Sequence, residues 1–496
     1  MIQGYSREIK IVGLIFLFKL AIIFLLPLTG DEAYFIVWGH NPASGFYDHP
    51  PMVGWVIYLM SFVSENFIFF RMFSVLTTLI VAYSIYKISA LYVDKNKAFL
   101  VGLLFLASPA DILLGLLTND IPLVLFGTLG TQFLLYSFEK EKPTTYALLA
   151  GLFLGAAFLS KYFAGFLLVS LLVFVLIEYK TKAIKNVLIV TFIVSLAIAQ
   201  NLYFNYNSCW NNIMFNFFAR SNDVYDLAKL KGLFLILIYL FTPWGLYFLY
   251  TSRKNEIKSS LLKLTALILG LMFIIFFMVS LKNSVGIHWF ILFLPYMFIL
   301  FSTLNEERLR QLFKYNTIFT FVHIAILLGA LITLKVIPKE YIQEHKNYVS
   351  IIQATKQQEI CDTLKRSHDD REIFALGYTT AAMISYGCHE NFHILFNNSK
   401  YGRLDDKLLD VRRLDTKDIY LFDNDMSKPQ EFLNVCNSAS VEELDIEGAK
   451  FYVMSCNGFR YKDYKKYYLD IQRKKFYDIP EWLPKGECYF NDRYYR

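Results

Sequence analysis

Ile11–Leu28 reads IVGLIFLFKLAIIFLLPL, and Thr29-Gly30-Asp31-Glu32-Ala33-Tyr34 follows it without a break. A helix needs about 20 apolar residues to cross a hydrocarbon core, with roughly 17–25 tolerated. A run of that length therefore opens directly onto two adjacent carboxylates. Gly45-Phe46-Tyr47-Asp48-His49-Pro50-Pro51 adds another acid and an imidazole, and residues 29–66 contain no Lys or Arg. Carboxylates beside a membrane lose hydration, so they persist where they bind something or move a proton. The fold implied is a polytopic α-helical membrane protein whose first outer loop, 29–66, carries chemistry.

The same apolar pattern recurs. Spans are expected near 9–28, 67–92, 98–116, 121–138, 145–160, 163–178, 186–204, 231–250, 260–281, 288–304 and 314–336, about eleven transmembrane helices in residues 1–337. The composition agrees, at 55% hydrophobic, 18% aromatic and a mean hydropathy of +0.39. Loop cations test the count. With the N-terminus cytoplasmic, the inner loops hold Arg7/Lys10, Lys95/Lys97, Lys140/Lys142, Lys180/Lys182/Lys185, Arg253/Lys254/Lys258 and Arg308/Arg310/Lys314. The long first outer loop has none. The net charge of +7 is thus a topology signal, and no basic stripe interleaved with aromatics points to nucleic acid. The first span lacks a small-x-small cleavage pattern and is expected to remain as an anchor.

Residues 338–496 read as a second domain, soluble and, by the span count, periplasmic. They hold 24 Lys and Arg against 26 Asp and Glu. Helical spacing over 348–366 and 379–386 alternates with strand-like runs at 372–377, 393–396, 418–422 and 451–456. This predicts a small C-terminal α/β domain. All six cysteines (209, 361, 388, 436, 456 and 488) fall in segments assigned outside, where disulfides persist. Tyr34–Trp38 and Met52–Met60 are too short to span and suit interfacial helices, with Trp38, Trp55 and Tyr58 at headgroup depth.

Chemistry-bearing residues gather on the outer face. Asp31, with Glu32 beside it, is placed to accept a proton from a substrate hydroxyl. Tyr47, Asp48 and His49 precede two prolines that fix the backbone, so they can orient an acceptor. With Asp31, the Asp48-His49 pair also offers oxygen and imidazole ligands to a divalent metal ion. Asp120 follows Thr118-Asn119 at an outer helix end. Arg71 and Lys161 border long apolar segments, as charge to stabilise a lipid phosphate leaving group requires. Arg220, Lys229, Lys231 and Lys282 are the other outer cations, and His288-Trp289 opens a late span at the same face.

Asp31-Glu32-Ala33-Tyr34, Gly45–Pro51, Thr118-Asn119-Asp120-Ile121-Pro122-Leu123 and Leu159-Ser160-Lys161-Tyr162, in that order, resemble the bacterial branch of the protein O-mannosyltransferase/aminoarabinose-transferase superfamily (glycosyltransferase family 39-like). His288-Trp289 resembles a later motif of the family more weakly. The resemblance covers about residues 1–305 and implies the GT-C fold in the bacterial inner membrane. It implies inverting transfer of a sugar from a polyprenyl-phosphate donor to a lipid A, other glycan or protein acceptor at the periplasmic face. Asp31 matches the catalytic acidic position and Asp120 the acid of the second outer loop. Arg71 and Lys161 match basic positions suited to the donor phosphate. Two other classes fit less well. A lipid-linked phosphotransferase would act on the same face, and a transporter would place ionisable residues near the bilayer midplane.

Overall fold

The structure, a computed structural model, describes residues 4–219, 225–252, 259–426 and 429–496. Arg220, Asp223, Arg253, Lys254 and Lys258 lie outside the described residues. The first helices are α1 Ser6–Leu25, α2 Gly30–His40, α3 Met52–Ser61, α4 Phe67–Ser89, α5 Lys95–Leu106, α6 Asp120–Glu139, α7 Pro143–Phe158, α8 Ala164–Tyr179 and α9 Ile184–Tyr206. Helices Ala228–Phe241, Pro243–Thr251, Ser259–Ser280, Leu294–Phe301 and Glu306–Val336 follow.

Helix occupies each of the eleven apolar segments, but not always as one rod. Among the described residues, five helices are long and apolar enough to cross a membrane, or up to seven if each bent pair is one span. The breaks have local causes. Ala228–Phe241 and Pro243–Thr251 meet at a 78° bend, where Thr242 has φ 61° and Pro243 brings no N–H. α5 stops at Leu106, and Ser108-Pro109 starts a 3-10 turn. A shorter 3-10 turn at Lys180–Ala183 joins α8 to α9, so two expected spans share one continuous helical stretch.

Contacts divide the chain into two compact units. The first comprises Met1–Leu26, Ser64–Gln200 and Ser221–Ile332. It is a helical bundle in which small residues allow close approach. A Cβ at Gly102 of α5, for example, would lie 2.9 Å from the Ala82 carbonyl oxygen of α4.

The second unit comprises Pro27–Val63, Asn201–Arg220 and Thr333–Arg496. Its centre is a five-stranded sheet of order β2-β1-β3-β5-β4, with β1 Ile373–Ala375, β2 His393–Ile394, β3 Ile419–Asp423, β4 Cys436–Ile446 and β5 Ala449–Phe459. β1 pairs in parallel with β2 and β3, while β5 runs antiparallel to β3 and β4. Every residue of β3 is buried, because both sheet faces are covered. Tyr420, Phe422, Phe451 and Val453 face helices Tyr348–Thr355, Gln357–His368 and Tyr378–Cys388. Ile419, Leu421 and Met454 face the other core, with Tyr464, Phe476 and Phe490.

β4 was not expected. Most of its side chains are exposed and polar, so it lacks the apolar alternation that marks a strand. Its signal is the two-residue turn Glu447-Gly448, with φ 53° and 81°, the positive pair a type I′ hairpin requires. The expected helix over 348–366 is two helices, split near Lys356.

Five of the six cysteines lie beyond residue 338. Cys361–Cys388 and Cys436–Cys456 pair there, and Cys488 pairs with Cys209. Segment 201–220 is thereby tied covalently into the unit that holds the sheet. Trp210 Nε1 donates to the Pro484 carbonyl at 3.0 Å, and Asn211 Nδ2 to Tyr489 Oη at 2.9 Å.

Candidate active site

α2 begins with a capping box. Thr29 Oγ1 accepts from the Glu32 N–H at 3.3 Å, and Glu32 Oε2 accepts from the Thr29 N–H at 3.3 Å and its hydroxyl at 3.0 Å. Thr29-Gly30-Asp31-Glu32 has the T-x-x-E pattern of such a box, a local sequence signal for a structural role at Glu32. Glu32 is buried, whereas Asp31, one residue earlier in the same turn, is exposed. The positive end of the helix favours an acid there. Tyr378 Oη donates to Asp31 Oδ1 at 3.2 Å.

Much of segment 33–57 is buried. Trp38, expected at headgroup depth, is fully buried and stacks on Phe46 with ring centroids 4.2 Å apart. Trp55 Nε1 donates to the Ala43 carbonyl at 2.8 Å. Tyr47 is buried in the same core as Ile419, Leu421 and Met454, beside Cys209 and Phe215. The Phe46 N–H donates to the His49 carbonyl, closing the turn before Pro50-Pro51. Asn212 Nδ2 donates to the Phe46 and Tyr47 carbonyls at 2.5 and 3.0 Å, and Asn216 Nδ2 to that of Asp48 at 3.3 Å. Asp48 is buried and His49 half-buried.

The first unit holds the other candidates. Asp120 is the first residue of α6, and its carboxylate accepts from Lys161 Nζ at 2.8 and 3.0 Å. Both side chains are buried. Arg71 is wholly buried; its Nη1 donates to the carbonyls of Ile23 and Leu26 at 2.8 and 2.7 Å, satisfying the end of α1. His288 is exposed, and Trp289 lies 5.2 Å from Phe163 between ring centroids.

A further ion pair escaped the sequence reading. Lys19 Nζ lies 3.0 Å from Asp111 Oδ2 and donates to the Asp111 carbonyl at 2.9 Å, both residues buried. A lysine inside the apolar run of α1 was the available signal. Among the described residues, no group of three or more His, Cys, Asp or Glu side chains is gathered as a metal site. Asp31, Asp48 and His49 therefore do not form one, and no step through a metal is derived.

Residues 48–204 match the model of the dolichyl-phosphate-mannose-protein mannosyltransferase family. The lipid A galacturonosyltransferase RgtD of Rhizobium johnstonii is 26% identical over 178 residues. That match spans 35% of this chain and 38% of the relative's length. Two crystal structures of ArnT from Cupriavidus metallidurans share the fold, each with a TM-score of 0.62. The apo form is 14% identical over 90% of this chain and 97% of its own. The form bound to undecaprenyl phosphate is 13% identical over 91% and 98%.

Proposed function

We propose that this chain, a GT-C glycosyltransferase by fold, transfers a sugar from a polyprenyl-phosphate-linked donor to an envelope acceptor. Lipid A is the acceptor we favour, since it is named in the function of RgtD; another glycan or a protein is the alternative. The observation that carries the reading is Asp31, an exposed carboxylate in the first turn of α2. In the proposed step the acceptor hydroxyl gives its proton to Asp31, and its oxygen bonds to the anomeric carbon with inversion. The bond from that carbon to the donor phosphate breaks, and its electron pair leaves with polyprenyl phosphate. That leaving group is already a weak base, so no strong general acid is needed.

Lys161 is assigned to the donor phosphate, with Asp120 holding its ammonium. Arg71, whose Nη1 is spent on α1, contributes positive charge. Tyr47, Asp48, His49 and His288 are assigned to substrate orientation, the first three through the backbone turn they shape. Glu32 serves by holding the turn that presents Asp31. The eleven-span topology, with N-terminus cytoplasmic and residues 338–496 periplasmic, is supported by the cation-free first outer loop and by three disulfides.

The test is transfer by the purified protein in liposomes, with lipid A and a panel of polyprenyl-phosphate hexoses, hexuronic acids and aminopentoses, read by mass spectrometry. Wild type should modify lipid A, and Asp31→Asn should lose roughly 10²–10⁴-fold in rate, the usual span for a general base. Equal transfer by the variant would refute the assignment of Asp31.

A further inference from the structure

Tyr378 opens helix Tyr378–Cys388, far from Asp31 in sequence, yet its hydroxyl reaches the Asp31 carboxylate. The contact is built from several sides. A Cβ at Gly30 would lie 2.8 Å from Thr379 Cγ2, so glycine at 30 lets the two helix starts meet. Gly402, at φ +78°, brings its loop against the tyrosine: a Cβ there would lie 2.7 Å from Tyr378 Cβ. The Tyr378 ring also meets Tyr34 edge-on at 5.1 Å and Tyr401 at 5.8 Å. Each arrangement restricts the ring's rotamers, so the hydroxyl is preorganised.

Burial, and then the nearby Asp31 charge, hold the Tyr378 phenol well above its ordinary range, so it stays protonated. It is therefore a donor wherever Asp31 is a base. A neutral donor on one carboxylate oxygen fixes the plane and rotation of the group and leaves the second oxygen for a proton.

Resting on the function proposed above, we infer that Tyr378 is a positioning residue for Asp31: its hydroxyl anchors Oδ1 and leaves Oδ2 to the acceptor hydroxyl. Residues beyond 338 would then complete the base of the reaction, which residues 29–66 do not do alone. A misplaced base costs rate without weakening substrate binding.

The experiment uses the full chain in liposomes with polyprenyl-phosphate galacturonic acid and lipid A, comparing wild type, Asp31→Asn, Tyr378→Phe and Tyr378→Leu. Phe keeps the ring packing and removes only the hydroxyl. Tyr378→Phe should lower kcat roughly tenfold with both KM values unchanged and the native fold kept by circular dichroism. Wild-type kcat in Tyr378→Phe, or loss only in Tyr378→Leu, overturns the inference while leaving the proposed function standing. A raised KM at constant kcat overturns it too. If Asp31→Asn transfers as wild type does, the proposed function fails first and Tyr378 has no base to position. Should this donor not be used, thermal melts of Tyr378→Phe, Asp31→Asn and their double variant decide whether the contact exists. Non-additive Tm shifts support it, and additive shifts overturn it.

Discussion

Asp31 and Asp120 both stand in the first turn of a helix after a short polar turn, yet their surroundings are opposite. Asp31 is exposed and receives a hydrogen bond from a neutral phenol. Asp120 is buried, with both oxygens on one ammonium. A carboxylate neutralised by a buried cation is poorly suited to accept a proton, since protonation would strand the cation. A carboxylate held by a neutral donor can accept one at small cost. The same residue type at the same helical position thus suits two tasks, and the neighbour's charge decides which.

The comparison can be broken most forcefully at Lys161. Lys161→Ala leaves Asp120 buried without its cation, which should cost about 3–5 kcal/mol of stability. The double variant Lys161→Met/Asp120→Leu should recover most of that in thermal melts while remaining without transferase activity. Full stability in the single variant would show the pair to be unimportant. A third carboxylate sharpens the contrast, since burial without a cation pushes the Asp423 carboxyl up to about 6 from 3.8. The folded state therefore binds an extra proton between those values. Stability is fully present below about pH 4 and is lost as pH rises through 6, by about 2–3 kcal/mol for this group. Asp423→Asn should melt with wild type at pH 4 and above it at pH 7.5; parallel melting curves would remove the argument. The smallest effect is expected at the cap. Thr29→Ala should cost about 1 kcal/mol and lower transfer several-fold by loosening the turn that presents Asp31, as circular dichroism melts and kinetics would register.

How much of this was legible differs by residue. The order of apolar segments and the acidic loop could be read directly, because hydropathy and charge are local properties of the chain. Asp120 and Lys161 could each be singled out, but their pairing could not, since 41 residues separate them. Glu32 is readable as a cap partner through T-x-x-E, yet a carboxylate pair in a cation-free loop looks alike in a structural and a chemical role. β4 escaped because an edge strand with a solvated face carries little apolar pattern.

The sequence by itself pointed to apolar helices of membrane-spanning length, and to segment 29–66, with Asp31 foremost in it, as the place to expect chemistry. Only the tertiary structure decided which carboxylates are exposed or spoken for, which cysteines pair, and that a tyrosine 347 residues away donates to Asp31. The division has a physical reason. Hydrophobic transfer and helix capping act within a few residues of the chain and leave their mark in composition and spacing. Ion pairing, side-chain burial and hydrogen bonds between distant segments depend on a packing that no local pattern encodes.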